Sequence, residues 1–296
     1  MNLTRDNREE LKLAMYFNKL EGAKVQCYLC PHKCVINEGK LGICRARKNI
    51  GGDLYSLNYG KITAIALDPI EKKPLYNFNP GANILSVGTF GCNLKCSFCQ
   101  NWTIAHEQPE VYDVTPEELV SKAKGLKAKG NIGIAYTYNE PSIWYEFVYE
   151  TAKLAKQEGF SNVLVTNGFI GKDAMRDLIP FIDAMNIDVK AYTASFYNNV
   201  CKGTLDDVKA TVESVYNRCH VEITTLIIPT LNDALEEISD LAKWIASLSP
   251  KIPLHLTRYF PNYKMQNIPP TPKEILVKCR EEAQKYLQYV YIGNVW

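Results

Sequence analysis

The run Gly91-Cys92-Asn93-Leu94-Lys95-Cys96-Ser97-Phe98-Cys99-Gln100-Asn101 sets three thiols at C-x3-C-x2-C spacing, immediately after a short apolar segment. Three thiolates on so tight a loop can hold three irons of a [4Fe-4S] cluster. The fourth iron is then left without a protein ligand, because no fourth cysteine lies close by in sequence. Clusters used only for electron transfer normally have all four positions filled. A bare iron is a coordination site, as an open position is on catalytic zinc. Gly91 lets the backbone approach such a cluster closely. Zinc held by these cysteines and a distant fourth ligand is the alternative, and would make the chain a non-catalytic iron-sulfur or zinc protein.

Four earlier cysteines, Cys27, Cys30, Cys34 and Cys44, have C-x2-C-x3-C-x9-C spacing with His32 between them. Four thiolates suit tetrahedral zinc or a fully ligated auxiliary iron-sulfur cluster. A metal there would fold a segment that has little core of its own, or would relay electrons. Cys201, Cys219 and Cys279 are scattered and read as small buried hydrophobes. Ten cysteines behind a charged start without a signal-peptide core point to a reduced, cytoplasmic setting.

The chain that must position these thiols has 296 residues, 46% of them apolar and 22% charged, with a mean hydropathy of −0.20. Those are globular values. The net charge of +2 argues against a protein built mainly to bind nucleic acid or an anionic membrane, and no apolar run is long enough to span one. Residues 1–20 predict an amphipathic helix. From 84 onward short β-branched runs recur at 84–88, 132–137, 162–166, 185–190, 221–228 and 253–259. Helical segments at 142–158, 172–179, 205–218 and 233–248 separate them. Thr115-Pro116-Glu117-Glu118 predicts a capping box, and Thr271-Pro272-Lys273-Glu274 caps a last helix. This alternation means a parallel α/β sheet, closed as a barrel or partial barrel, or open and doubly wound. Function then belongs at the C-terminal strand ends.

The C-x3-C-x-aromatic-C pattern, with Phe98 before the last cysteine, resembles the signature of radical S-adenosylmethionine (SAM) enzymes. That resemblance implies a partial (β/α)6 TIM barrel. It also implies SAM on the open iron, cleaved reductively to a 5′-deoxyadenosyl radical that takes hydrogen from a substrate. The other strand ends acquire expected roles. Asn139 and Glu140 suit the cofactor's ammonium, or simply start a helix. Thr166, Asn167, Asp188 and Lys190 resemble residues lining the ribose and carboxylate end in glycyl-radical activases, or are turn chemistry and a structural ion pair. His255 and Arg258 are candidates for holding a substrate at the rim, against a plain core histidine.

Five stretches resemble one subgroup more tightly: Cys27 to Cys34, Asp68 to Tyr76, Gly91 to Trp102, Tyr136 to Pro141, and His255 to Pro261. Together they resemble the AmmeMemoRadiSam-system radical SAM enzymes, relatives of pyruvate formate-lyase activating enzymes. A small Cys-rich module with its linker (1–80) and a radical SAM core (81–296) are expected. The expected partners are a small-molecule substrate, an aromatic acid among them, or a protein substrate such as a glycyl-radical enzyme. An electron donor such as ferredoxin or flavodoxin is also expected.

Overall fold

The computed structural model describes residues 11–295. Its centre is an eight-stranded sheet. Six parallel strands run in chain order: β1 (Asn83–Gly88), β2 (Asn131–Tyr136), β3 (Ser161–Thr166), β4 (Ala184–Asp188), β5 (His220–Ile227) and β6 (Leu254–Arg258). A seventh, β7 (Val290–Gly293), adds parallel to β6, and strand Ala64–Pro69 adds antiparallel to β1. The two edges are not hydrogen-bonded to each other, so the sheet is a partial barrel. Strand Ala64–Pro69 lies before the boundary expected at 80/81, yet it is bonded into the barrel sheet along its length. It and β7 escaped the sequence reading because each lacks a helix on one side.

Helices α1 (Pro116–Gly125), α2 (Tyr145–Gln157), α3 (Lys172–Leu178), α4 (Leu205–Val215), α5 (Leu235–Leu248) and α6 (Lys273–Ala283) cover the outside. Leu85, Val87, Ile134, Leu164, Met185, Ile187, Ile223 and Leu256 form the outward core beneath them. The capping box forms as expected, with Thr115 accepting from the Glu118 N–H and Glu118 accepting from the Thr115 N–H at 2.8 Å. The expected cap at Thr271 does not form. Its hydroxyl donates instead to the Ile227 carbonyl at 2.5 Å and accepts from the Tyr259 N–H, lacing the tops of β5 and β6 together.

The helix expected over residues 1–20 is also corrected. Residues 1–10 lie outside the described residues, and beyond them the chain is extended, with strands Lys12–Leu13 and Phe17–Lys19. A buried ion pair sets that course. Arg47 and Glu146 meet at 2.5 Å, both 1% exposed, and together they bind the carbonyl and the N–H of Met15. The chain bends at Met15 and Tyr16, the latter with φ +59°, and so presents both backbone groups of Met15 to that pair.

Residues 70–78 cross the inside of the barrel. Ile70, Leu75 and Phe78 pack on the inward Ile84, Ala135, Val163 and Ala184. Glu222, fully buried on β5, holds this floor. It accepts from the N–H groups of Tyr76 and Asn77 and bonds to His220 and His255 at 2.9 and 2.6 Å. Burial alone would raise its pKa, but these hydrogen bonds hold it at about 2. Because the folded value is depressed from 4.5, the stabilisation, on the order of 3 kcal/mol, is fully present above pH 4.5 and is lost as pH falls towards 2. Glu222→Gln is therefore expected to lower unfolding free energy by roughly that amount at neutral pH. In urea titrations at stepped pH, the gap to the parent should close as pH approaches the folded value.

Candidate metal and cofactor site

Between Phe90 and Asn101 the chain leaves β1 and makes no sheet bonds, so its polar backbone needs other partners. Amide side chains supply them. Asn58 donates to the Phe90 carbonyl, and Asn139 donates to the Gly91 carbonyl at 2.8 Å while accepting from the Thr89 N–H. Asn93 donates to the Phe169 carbonyl at 2.6 Å and accepts from Asn167 at 2.9 Å. His32 meets the Asn93 carbonyl at 2.7 Å. The loop is thus tied to the ends of β1, β2 and β3 and to the Cys-rich module.

Cys92, Cys96 and Cys99 lie together on this loop. Burial pushes the Cys92 thiol up and the Cys99 thiol to about 11; contact with Cys201, then burial, raises Cys96. Thiolates there need a cation, which is the donor chemistry of a metal site. Among the described residues, no three such side chains converge on one ion position. Thiolates that each reach a different iron need no such convergence. The loop fits a [4Fe-4S] group.

Glu140, 3% exposed, accepts from the Asn167 and Ser142 N–H groups, both at 2.8 Å, and from the Thr166 hydroxyl at 2.7 Å. Burial raises its pKa and these bonds oppose that. It therefore ties the β2 and β3 ends together, and its contact with Ser142 is the helix-start role. Asn167 also points its amide at the Cys92 sulfur, 3.7 Å away. Asp188 and Lys190 pair at 3.0 Å. Burial alone would lower Lys190, but Asp188 and the nearby Cys96 and Cys201 outweigh it and hold the ammonium high. Phe98 is buried against Phe196, with Lys190 over its ring.

His255 and Arg258 do not come together with this group. His255 is spent on Glu222 at the barrel floor, while the Arg258 Nε donates to the Thr271 carbonyl with the guanidinium over Phe260. Sequence reasoning missed Cys201, which a π-helical turn over Tyr197–Cys201 carries to the loop, where its carbonyl accepts from the Lys95 N–H at 2.8 Å. It also missed Asp68, Lys73 and Tyr138, joined inside the barrel at 2.9 and 3.0 Å. Glu222 had a signal: a lone carboxylate in an otherwise uncharged strand.

Cys27, Cys30, Cys34 and Cys44 surround one small pocket with Arg47 in its wall. Burial raises the Cys27, Cys30 and Cys44 thiols, while Arg47 lowers Cys27 and Cys44. The Arg47 Nε is buried without a protein partner. This pocket abuts the Cys92 loop: a Cβ on Gly91 would lie 2.6 Å from the Cys44 carbonyl oxygen, and Gly91 has φ +90°. Gly91→Ala is expected to destabilise the fold by about 2 kcal/mol or more. It should also reduce the iron retained after anaerobic reconstitution, read by iron and sulfide analysis.

The family model of the Radical SAM superfamily matches residues 86–245. An uncharacterized protein of Methanocaldococcus jannaschii is 43% identical over 291 residues, covering 96% of this chain and 86% of that protein. A putative glycyl-radical enzyme activating enzyme of the same organism is 30% identical over 68% of this chain and 77% of its own length. The pyruvate formate-lyase-activating enzyme of Clostridium pasteurianum is 28% identical over 70% and 92%. Among solved structures, Streptococcus suis SuiB bound to S-adenosylmethionine aligns with TM-score 0.57 at 13% identity, over 76% of this chain and 53% of SuiB. A radical SAM methyltransferase from Sphaerobacter thermophilus aligns at 0.55 and 16% identity, over 74% and 68%. These two likenesses concern the fold.

Proposed function

Since the chain belongs to the Radical SAM superfamily and is a radical SAM enzyme, we propose that Cys92, Cys96 and Cys99 hold its [4Fe-4S] cluster and that the substrate is a small polar molecule bound inside the barrel. When bound and reduced, the cluster supplies the electron that cleaves SAM. The residues around it have positioning work. Glu140, Thr166 and Asn167 fix the strand ends beside Cys92, and Asn139 fixes Gly91. Asp188, about one-third exposed, and Lys190 offer charge of both signs to the cofactor's amino-acid end. Phe98 packs beneath them. Arg258 keeps its terminal amino groups for a substrate carboxylate, and His255 acts through Glu222 on the floor.

One observation supports the small-molecule reading. Above a floor closed by residues 70–78, Asn186 Oδ1 and Thr224 Oγ1 are buried without a protein partner. Met185, Ile187 and Ile223 face the helices, so Asn186 and Thr224 face inward, and Thr224 stands beside both Asp188 and His255. Buried polar atoms without partners are costly, and a ligand that bonds to them removes that cost. Tyr76 and Tyr291, 4.9 Å apart beside His255, suit an aromatic ring. Glycyl-radical activase chemistry is the second reading, favoured by the names of two relatives. The Asp68 to Tyr76 stretch supports placement in the AmmeMemoRadiSam subgroup.

We further propose a metal, zinc or iron-sulfur, on Cys27, Cys30, Cys34 and Cys44. It would staple a module running to about residue 80 onto a core beginning near 81. Ten free cysteines suit a cytoplasmic setting and a reduced electron donor such as ferredoxin or flavodoxin.

Anaerobically reconstituted, reduced protein given SAM should release 5′-deoxyadenosine and methionine. Cys92→Ala, Cys96→Ala and Cys99→Ala should each lower that release by at least about a hundredfold, since an incomplete cluster leaves no electron path. No release from fully loaded wild-type protein would overturn the reading, and a persistent glycyl radical raised on a partner protein would move it to the second one. A Cys27→Ala/Cys30→Ala variant should lose metal by elemental analysis and several degrees of thermal midpoint while keeping the Cys92 cluster. Unchanged metal content would remove the N-terminal site.

A further inference from the structure

A chain of polar groups crosses the barrel floor. Along β5, His220, Glu222 and Thr224 share the inward face, because Val221 and Ile223 between them are buried in the outward core. His220 opens the strand at the N-terminal end of the barrel and keeps 29% of its side chain exposed. Glu222 and His255, the latter across on β6, are buried. Each oxygen of the carboxylate serves one ring. Glu222 Oε1 lies 2.9 Å from His220 Nε2, and Oε2 lies 2.6 Å from His255 Nε2. Glu222 is held ionised down to about pH 2, and an ionised carboxylate only accepts. Both Nε2 atoms therefore carry hydrogen, and the open nitrogen of each ring is Nδ1. Among the described residues, neither Nδ1 has a hydrogen-bond partner.

Support of the floor accounts for the carboxylate but not for the two rings. The Tyr76 and Asn77 N–H groups reach Glu222 at 3.1 and 2.7 Å, and neither needs an imidazole. Around them the floor is apolar, with Ile70, Leu75 and Phe78 packed on Ile84, Ala135 and Val163. Aromatic side chains of the floor hold both rings, Phe78 against His220 at 5.6 Å and Tyr76 edge-on to His255 at 4.7 Å. The inner end lies beside the unpartnered oxygens: His255 pairs with Thr224 in the β5–β6 register, and Thr224 Oγ1 is buried without a protein partner. A carboxylate between two imidazoles, each at hydrogen-bond distance, lets a proton move while the groups stay in place. We propose that His220, Glu222 and His255 form a proton relay through the barrel floor, with His255 as general base towards an O–H or N–H group of the substrate. His255 Nδ1 forms an N–H bond as the substrate's O–H or N–H bond breaks, and the electron pair stays on the substrate. His255 Nε2 gives its proton to Glu222, and His220 releases one to water. One proton enters the relay, one leaves it, and no electron moves through it. The proposal rests on the reading above that a radical enzyme binds its substrate inside the barrel, and it adds proton exchange with bulk water to hydrogen abstraction.

The test uses cluster-loaded protein, its cluster oxidised, carrying isotope-labelled histidine; the chain has 4 histidines, so signals are few. Magnetisation transfer from water in NMR reads exchange of the His255 Nε2 proton, assigned by its loss in His255→Gln. His220→Gln keeps a donor to Glu222 but cannot pass a proton on, and should slow that exchange at least about tenfold. In His220→Ala, where the vacated space meets solvent, added imidazole should restore the exchange. The indole proton of Trp244, bonded to Glu213 at 3.1 Å, reports general loosening and should exchange alike in parent and variants. Loosening would speed exchange at His255, so the sign of the change separates a relay from a structural contact. Equal or faster exchange in His220→Gln overturns the relay, and so does a His220→Ala variant that imidazole leaves slow. The radical reading fails separately, through wild-type protein that releases no 5′-deoxyadenosine while its His255 proton still exchanges by way of His220.

Discussion

Backbone that leaves a sheet must find hydrogen-bond partners elsewhere, and the loop from Phe90 to Asn101 is where this constraint bears hardest. This loop, which carries Cys92, Cys96 and Cys99, lies outside helix and strand. Asparagine side chains take the place of the missing ladder: Asn58, Asn93, Asn139 and Asn167 each bond this loop or an end of a neighbouring strand. A short polar side chain with both a donor and an acceptor can satisfy two backbone groups from different strands at once. Networks satisfied in this way are stiff, which holds the loop that carries the three thiols in one arrangement.

The Cys-rich module and the barrel are joined through charges taken out of water in pairs. Arg47 with Glu146 lies at the junction, where a mispacked module would leave one charge alone, and Asp68 with Lys73 holds the chain that enters the barrel floor. Pairs of this kind are poor sources of net stability, but breaking one is expensive. They therefore select a single way of seating the module on the barrel. That seating brings Cys44 against Gly91 and His32 against Asn93, so the two cysteine groups share one neighbourhood.

The floor formed by residues 70–78 gives the barrel a character that strands alone would not. Alternation along β4 and β5 sends Asn186, Glu222 and Thr224 inward, and Glu222 draws His220, His255 and two backbone N–H groups around itself. These polar groups face the inside of the sheet, between that floor and the strand ends.

Much of this was legible in the chain itself. C-x3-C-x-aromatic-C after a β-branched run is a local statement, and so are the six parallel strands and the capping box at Thr115, because propensity and spacing act over a few residues. The path of the chain at Met15, the use of Thr271 to lace strands instead of capping a helix, and the commitment of His255 to Glu222 were not legible. Each depends on partners 131, 44 and 33 residues away, and a side chain with two possible bonds takes whichever partner the packed fold delivers. Cys201 makes the same point: in sequence it is an isolated thiol, and only the turn after β4 brings it beside Cys96. The sequence by itself determined which candidate ligands stand after the first strand and the order of the elements that carry them. The tertiary structure decided which polar side chains are consumed in holding that loop and which remain free to meet a ligand, because long-range hydrogen bonds leave no periodic trace along a chain.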